Sequence, residues 1–229
     1  RVVGSFTDAG IEGEWKAVEG SKYFESPLLY KENGFKEEKD AQALIEMCGG
    51  KEAKVKALEK SISKKKAPLL FNLAELQAEC AKLFKISPDE TLQVAQDLYE
   101  KKLTTYPRTD ARVLSTAVAK EIHKKLNGLS KYEMAAPYLQ EILRFGSHKT
   151  LGKSRYVNDK QITDHYAIIP TGQGLGALSS VSGTAKQVYD TIVRRFLSIF
   201  YPPAVYHKVN ITTQIKEEKK CVLEINNNY

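Results

Sequence analysis

Between residues 72 and 100 apolar side chains recur every three or four positions: Leu73, Leu76, Cys80, Leu83 and Phe84, then Leu92, Ala95, Leu98 and Tyr99. That spacing predicts two amphipathic helices joined by a short turn. Asn72, with Glu75 three residues on, marks the first N-terminus. Ser87, Pro88, Asp89 and Glu90 mark the second, with a cap, a proline at the first helical position and two carboxylates at the positive end of the dipole. Val118, Ala119, Ile122 and Leu126 give a third stripe, behind a Ser115 cap and stopped by Gly128. A helix is expected from about Pro137 to Phe145, and another opens on Thr184, carries Val188, Ile192, Phe196 and Phe200, and ends at Pro202 and Pro203. Residues 37–50 read as a helix closed by glycines, residues 51–63 as either strand or helix, and residues 152–176 mostly as loop.

Elsewhere the period is two. Residues 1–35 alternate Gly, Val, Phe, Trp and Tyr with polar residues, as short strands and turns do; Val205, His207, Val209, Ile211, Thr213 and Ile215 alternate, and after a turn at KEEKK so do Cys221, Leu223 and Ile225. Sheet, helices, sheet is the signature of an α+β chain. The expected architecture is a helical domain, residues 69–183, with a helix-turn-helix (winged-helix-like) unit, inserted into a β-rich domain whose halves are residues 1–68 and 184–229.

Composition narrows the class. Hydrophobic residues make up 42% of the 229, enough for a real core, and no run approaches the roughly 18 apolar residues of a membrane span. Three scattered cysteines, Cys48, Cys80 and Cys221, form no disulfide frame or metal motif, which fits a cytoplasmic setting. Neither end has the look of a natural terminus, so the chain is expected to be a piece of something longer. The net charge of +7 is uneven: residues 1–50 hold six Lys/Arg against ten Asp/Glu, a balance of −4, which leaves +11 for the rest. Basic runs at 51–66, around Tyr106, and at 148–155 point to a polyanion partner.

The stretch LTTYPRTDARVLS, residues 103–115, carries the candidate chemistry. A phenol with a pKa of about 10 is a weak nucleophile at neutral pH and needs a cation beside it. In an extended segment Arg108 shares a face with Tyr106, so its guanidinium can grip the phosphate that the phenol attacks; Thr105, Thr109 and Asp110 stand ready to orient either partner.

This stretch, behind a helix-turn-helix in a basic chain, resembles the active-site segment of type IA DNA topoisomerases. DHYAIIPTG, residues 164–172, resembles that family's second signature, and RRFLSIFYPP, residues 194–203, the segment that returns to the β-rich domain. Ile-Ile-Pro is similar to the bacterial topoisomerase III branch. The resemblance implies that Tyr106 is the nucleophile, Arg108 stabilises the phosphate and His165 contacts it. It implies single-stranded DNA as partner, with Thr105, Thr109, Asp110, Gln96, Lys101, Arg112, Lys153 and Arg155 as further contacts, and Tyr99 and Tyr156 as candidate base stackers. It implies a 5′-phosphotyrosine intermediate, Mg²⁺ held by a Toprim domain this chain does not contain, a hinge role for the β-rich domain, further gate domains of the same enzyme as partners, and a cytoplasmic, nucleoid-associated setting. Two departures stand out: Tyr166 replaces a frequent second histidine, and Ala74-Glu75 replaces small hydroxyl residues. The rival from another class is a helix-turn-helix regulator of duplex DNA in which Tyr106 is structural.

Overall fold

Three strands drawn from both ends of the sequence form the largest sheet of the computed structural model, which describes residues 1–6, 8, 10–215 and 218–225. The chain divides into one unit of residues 1–65 and 204–229 and a second of residues 66–203.

In the first unit β1 (Val3–Phe6) pairs antiparallel with β2 (Ile11–Glu14), and β3 (Leu29–Lys31) with β4 (Gly34–Phe35). Trp15, Tyr23 and Leu44 of α1 (Glu38–Cys48) bury together, with Trp15 stacked 5.0 Å from Phe35 and Tyr23 edge-on to both rings. The ambiguous residues 51–63 resolve as strand: β5 (Ala53–Lys65) pairs along its length with β6 (Ala204–Ile215), Leu58 opposite Ile211 and Ile62 opposite His207. β7 (Glu218–Ile225) completes an antiparallel β5-β6-β7 sheet. The start of the KEEKK turn, residues 216 and 217, and the side-chain alternation of Cys221, Leu223 and Ile225 lie outside the described residues.

In the second unit the caps read from the sequence are formed. α2 (Leu73–Phe84) starts where the Asn72 side chain accepts from the Glu75 N–H at 2.9 Å, and α3 (Pro88–Glu100) where Ser87 accepts from Glu90 at 3.1 Å. Such caps contribute about 1 kcal/mol each. The expected helix behind Ser115 is two: α4 (Thr116–Lys120) and α5 (Ile122–Gly128) break at Glu121, and Gly128 does not end the run, which continues as a 3₁₀ turn at Leu129–Lys131. After α6 (Ala136–Phe145) and loops with short 3₁₀ turns comes α7 (Gly183–Ser198). Its cap is Ser182, which accepts from Ala185 at 3.1 Å, rather than Thr184. α7 buries Val188, Tyr189, Ile192, Val193, Phe196 and Leu197 in the helical core, so the helix belongs with residues 66–203 and the first unit resumes at Ala204. Apolar contact across α7 thus extends the helical part beyond residue 183.

Candidate active site

The TTYPRTD segment is not a regular strand. Thr104 bridges to Pro170, and the Thr105 N–H donates to the Ile169 carbonyl at 3.0 Å; its hydroxyl donates to Ala167 O and accepts from the Ile169 N–H, both at 3.0 Å. On the far side of Tyr106, buried Thr109 donates its hydroxyl to the His165 carbonyl at 2.9 Å and accepts from the Ala111 N–H at 3.1 Å. Two threonines flanking the tyrosine therefore stitch it to both ends of the HYAII stretch. The start of α2 clamps the same segment: Asn72 Nδ2 donates to Asp110 O at 3.1 Å, and the Leu73 N–H to Thr109 O at 3.1 Å.

This stitching brings the Tyr106 and His165 rings to 4.4 Å between centroids, tilted by 43°, with the Tyr99 ring edge-on to Tyr106 at 5.3 Å. All three line a cleft of about 520 Å³, together with Thr104, Thr105, Tyr166, Thr171, Gln173, Glu100, Lys102 and Lys125. Burial pushes the Tyr166 phenol up from its usual range, which keeps the hydroxyl neutral further into alkaline pH.

Of the residues singled out from sequence, Tyr106, His165 and Thr105 share the cleft. Arg108 does not line it: the Thr109 N–H donates back to Pro107 O at 3.0 Å, closing a tight turn that leaves Arg108 exposed. Regular extension, which would put Arg108 on the face of Tyr106, is prevented by the inward-turned Thr109. Arg112 is engaged internally, donating to the Glu75 carboxylate at 2.9 Å and to Leu70 O at 3.3 Å. Lys101 pairs with Asp97, and Gln96 donates to Glu100 at 3.1 Å. Lys153 and Arg155 are exposed. Of the candidate stackers, Tyr99 is 39% exposed and Tyr156 6%, its hydroxyl donating to Ala67 O at 2.8 Å.

Sequence reasoning passed over Lys125, Glu100 and Gln173 as cleft residues. The available signal was the glycines of PTGQG and Gly128. A Cβ on Gly128 would stand 2.2 Å from the Gly172 carbonyl oxygen, and one on Gly174 (φ +68°) 2.3 Å from the Lys101 carbonyl oxygen. Close backbone contact at these glycines seats residues 171–174 against α5 and the turn after α3. That turn places Lys102 at φ 62°, a left-handed conformation costly for a lysine. Lys102→Gly is expected to raise the unfolding free energy by up to about 1 kcal/mol in chemical denaturation, because strain relief outweighs the extra chain entropy. Thr109→Val is expected to cost about 1–3 kcal/mol in the same measurement and Thr109→Ser much less, since valine leaves the Ala111 N–H and His165 carbonyl without their partner.

The family model described as DNA topoisomerase matches residues 11–227. The chain belongs to this DNA topoisomerase family. It is 39% identical over 176 residues to DNA topoisomerase 3 of Bacillus subtilis, covering 76% of this chain and 24% of that protein. It is 39% identical over 170 residues to DNA topoisomerase 3 of Bacillus licheniformis, covering 74% of this chain and 23% of that protein. The chain thus spans about a quarter of these topoisomerase 3 relatives, in agreement with the type IA, topoisomerase III branch resemblance and with a fragment of a topoisomerase. The fold is similar to that of full-length topoisomerase I from Thermotoga maritima, with a TM-score of 0.58 at 21% identity, covering 99% of this chain and 34% of that one. The mixed helix and strand architecture accordingly resembles that of a type IA topoisomerase.

Among the described residues no group of three or more His, Cys, Asp or Glu side chains is placed to hold a metal ion. No described helix is long and apolar enough to cross a membrane.

Proposed function

We propose that this chain carries the nucleophile of a topoisomerase III-like enzyme that cleaves and rejoins single-stranded DNA. The observation that supports this most is the ring contact of Tyr106 with His165 at 4.4 Å, inside a cleft, by residues from two separate sequence motifs. The Tyr106 hydroxyl attacks a backbone phosphorus; the Tyr106 O–P bond forms, the P–O3′ bond breaks, the phenol proton leaves and the departing 3′ oxygen gains one. The product is a 5′-phosphotyrosine, and the reverse reaction reseals the strand without ATP because the phosphodiester energy is kept.

In this reading His165 contacts the reacting phosphate, and exposed Arg108 swings in to stabilise its developing charge. Thr105 and Thr109 hold Tyr106 and His165 in place. Lys153 and Arg155 offer exposed charge to the strand and Tyr99 a face for base stacking, which contributes roughly 1–3 kcal/mol per base. Gln96, Lys101 and Arg112 serve as DNA contacts when their internal partners exchange for phosphate or base, and exposed Asp110 offers its carboxylate to base or sugar donors. α2, α3 and the extended residues behind them act as a winged-helix-like unit, and the β-rich unit as the hinge about which a gate opens for strand passage. Mg²⁺ is supplied with a Toprim domain, and the enzyme works in the cytoplasm at the nucleoid.

The test joins this chain to a Toprim domain, adds Mg²⁺ and end-labelled single-stranded oligonucleotide, and resolves the products under denaturing conditions. Covalently retained 3′-end label with released 5′-end label is the expected outcome. Retention of the 5′-end label instead, or sequence-specific binding to duplex DNA with no adduct, would sink the proposal.

A further inference from the structure

Lys125 enters the cleft from the last turn of α5, beside Thr171 and Gln173. Its position is fixed by backbone: a Cβ on Gly172 would stand 2.5 Å from the Lys125 carbonyl oxygen and 3.2 Å from its Cα, so only a glycine lets residues 171–173 close against this lysine. The side chain is half-buried, and withdrawal from water lowers the pKa of its ammonium, opposed only by the charge of Glu121 one turn earlier. Glu121 is itself bonded to Lys124 at 2.7 Å. Among the described residues Lys125 has no ion pair or hydrogen bond from its ammonium. The other charged or titratable groups facing the cleft are Lys102, His165, Glu100 and the phenols of Tyr99, Tyr106 and Tyr166.

A partly desolvated ammonium without a carboxylate partner is an unfavourable state that an anion in the same space relieves. The glycine contact engages the Lys125 backbone, so the charge of its side chain plays no part in that contact. The cleft also offers more cationic than anionic side chains, with Lys102 and Lys125 against Glu100. We propose that Lys125 is a phosphate-binding residue that holds the backbone of the single strand in the Tyr106 cleft. The inference rests on the strand-cleavage reading for the identity of the ligand, and the residue makes a substrate contact that neither signature motif contains.

The test is binding of fluorescent oligothymidylate to this chain, followed by anisotropy across a NaCl series. Lys125→Gln is expected to bind roughly tenfold more weakly at low salt, the effect of losing one charged hydrogen bond. It should also lower the slope of log affinity against log salt by about 0.7, the value for one single-strand phosphate. Lys125→Arg should restore both. Lys124→Gln removes the same formal charge outside the cleft and should change affinity less than about twofold, as expected of an exposed pair. Lys125→Met, which keeps the stem packing, serves if the glutamine variant fails to fold. Equal effects at Lys124 and Lys125, unchanged binding in Lys125→Gln, or no binding by the parent chain would each overturn the proposal. An adduct at Tyr106 with no Lys125 effect sinks the lysine alone, whereas a Lys125 effect without any adduct sinks the cleavage reading and leaves a strand-binding cleft.

Discussion

Replacing Tyr106 with phenylalanine is expected to reduce covalent strand capture by at least about a thousandfold, to the background of the assay, when the chain is joined to a Toprim domain with Mg²⁺. The substitution removes one oxygen and leaves the ring contacts with His165 and Tyr99, which involve carbon faces and edges, in place. Strand binding should therefore stay within about twofold, because the lost group acts only where a bond forms. On the proposed roles, His165→Ala and Arg108→Ala would remove charge stabilisation and leave the nucleophile, and each should lower the cleavage rate by roughly 10²–10³. The ordering separates the roles: a Tyr106→Phe protein that still forms adducts has its nucleophile elsewhere, and an Arg108→Ala protein with full activity would show that the exposed guanidinium never reaches the phosphate.

The largest stability effect is expected at Gly172. Its φ of +78° disfavours any side chain, and an added Cβ would meet the Lys125 carbonyl at 2.5 Å and the Gly128 Cα at 3.1 Å, all backbone. A flexible side chain could move aside; two closely packed main chains cannot do so without opening the contact between α5 and residues 171–173. Gly172→Ala should cost about 2–4 kcal/mol, the sum of left-handed strain and overpacking. Gly176→Ala, where a Cβ meets nothing within 4 Å, provides the matched control and should change stability by less than about 1 kcal/mol. Guanidinium denaturation of the two variants side by side reads the difference. Because the same contact seats Lys125, Gly172→Ala should also weaken oligonucleotide binding, while Gly176→Ala should not.

Local features of the fold were legible in the sequence because their causes are local. Asn72, Ser87 and Ser115 cap helices by accepting from an N–H three residues on, a contact that needs no tertiary partner. Where two hydroxyl residues compete, as Ser182 and Thr184 do, spacing alone chose the wrong one. Gly128 resembles a helix stop, but its missing side chain serves a neighbour distant in sequence, Gly172. The site shows the same division. The motifs single out Tyr106 and His165 and the hydroxyl residues beside Tyr106, but the joining of the two motifs by those hydroxyls is visible only in the fold. Thr105 and Thr109 join them through hydrogen bonds to Ala167, Ile169 and His165. Arg112 is basic and close to Tyr106 in sequence, but that it bonds to Glu75 depends on how α2 packs, which no spacing rule encodes. Lys125 carried no signal of its own among the lysines of IHKKLNG, since only the fold separates the one that enters the cleft from the exposed one beside it.

In strand cleavage as proposed, the Tyr106 oxygen becomes bonded to DNA. Denaturing isolation of the adduct, digestion with protease and nuclease, and mass spectrometry of the remaining peptide test it most directly. A nucleotide mass is expected on the peptide containing LTTYPR, localised to Tyr106 and joined through a 5′ phosphate. A nucleotide carried by any other residue, or joined through a 3′ phosphate, would contradict it.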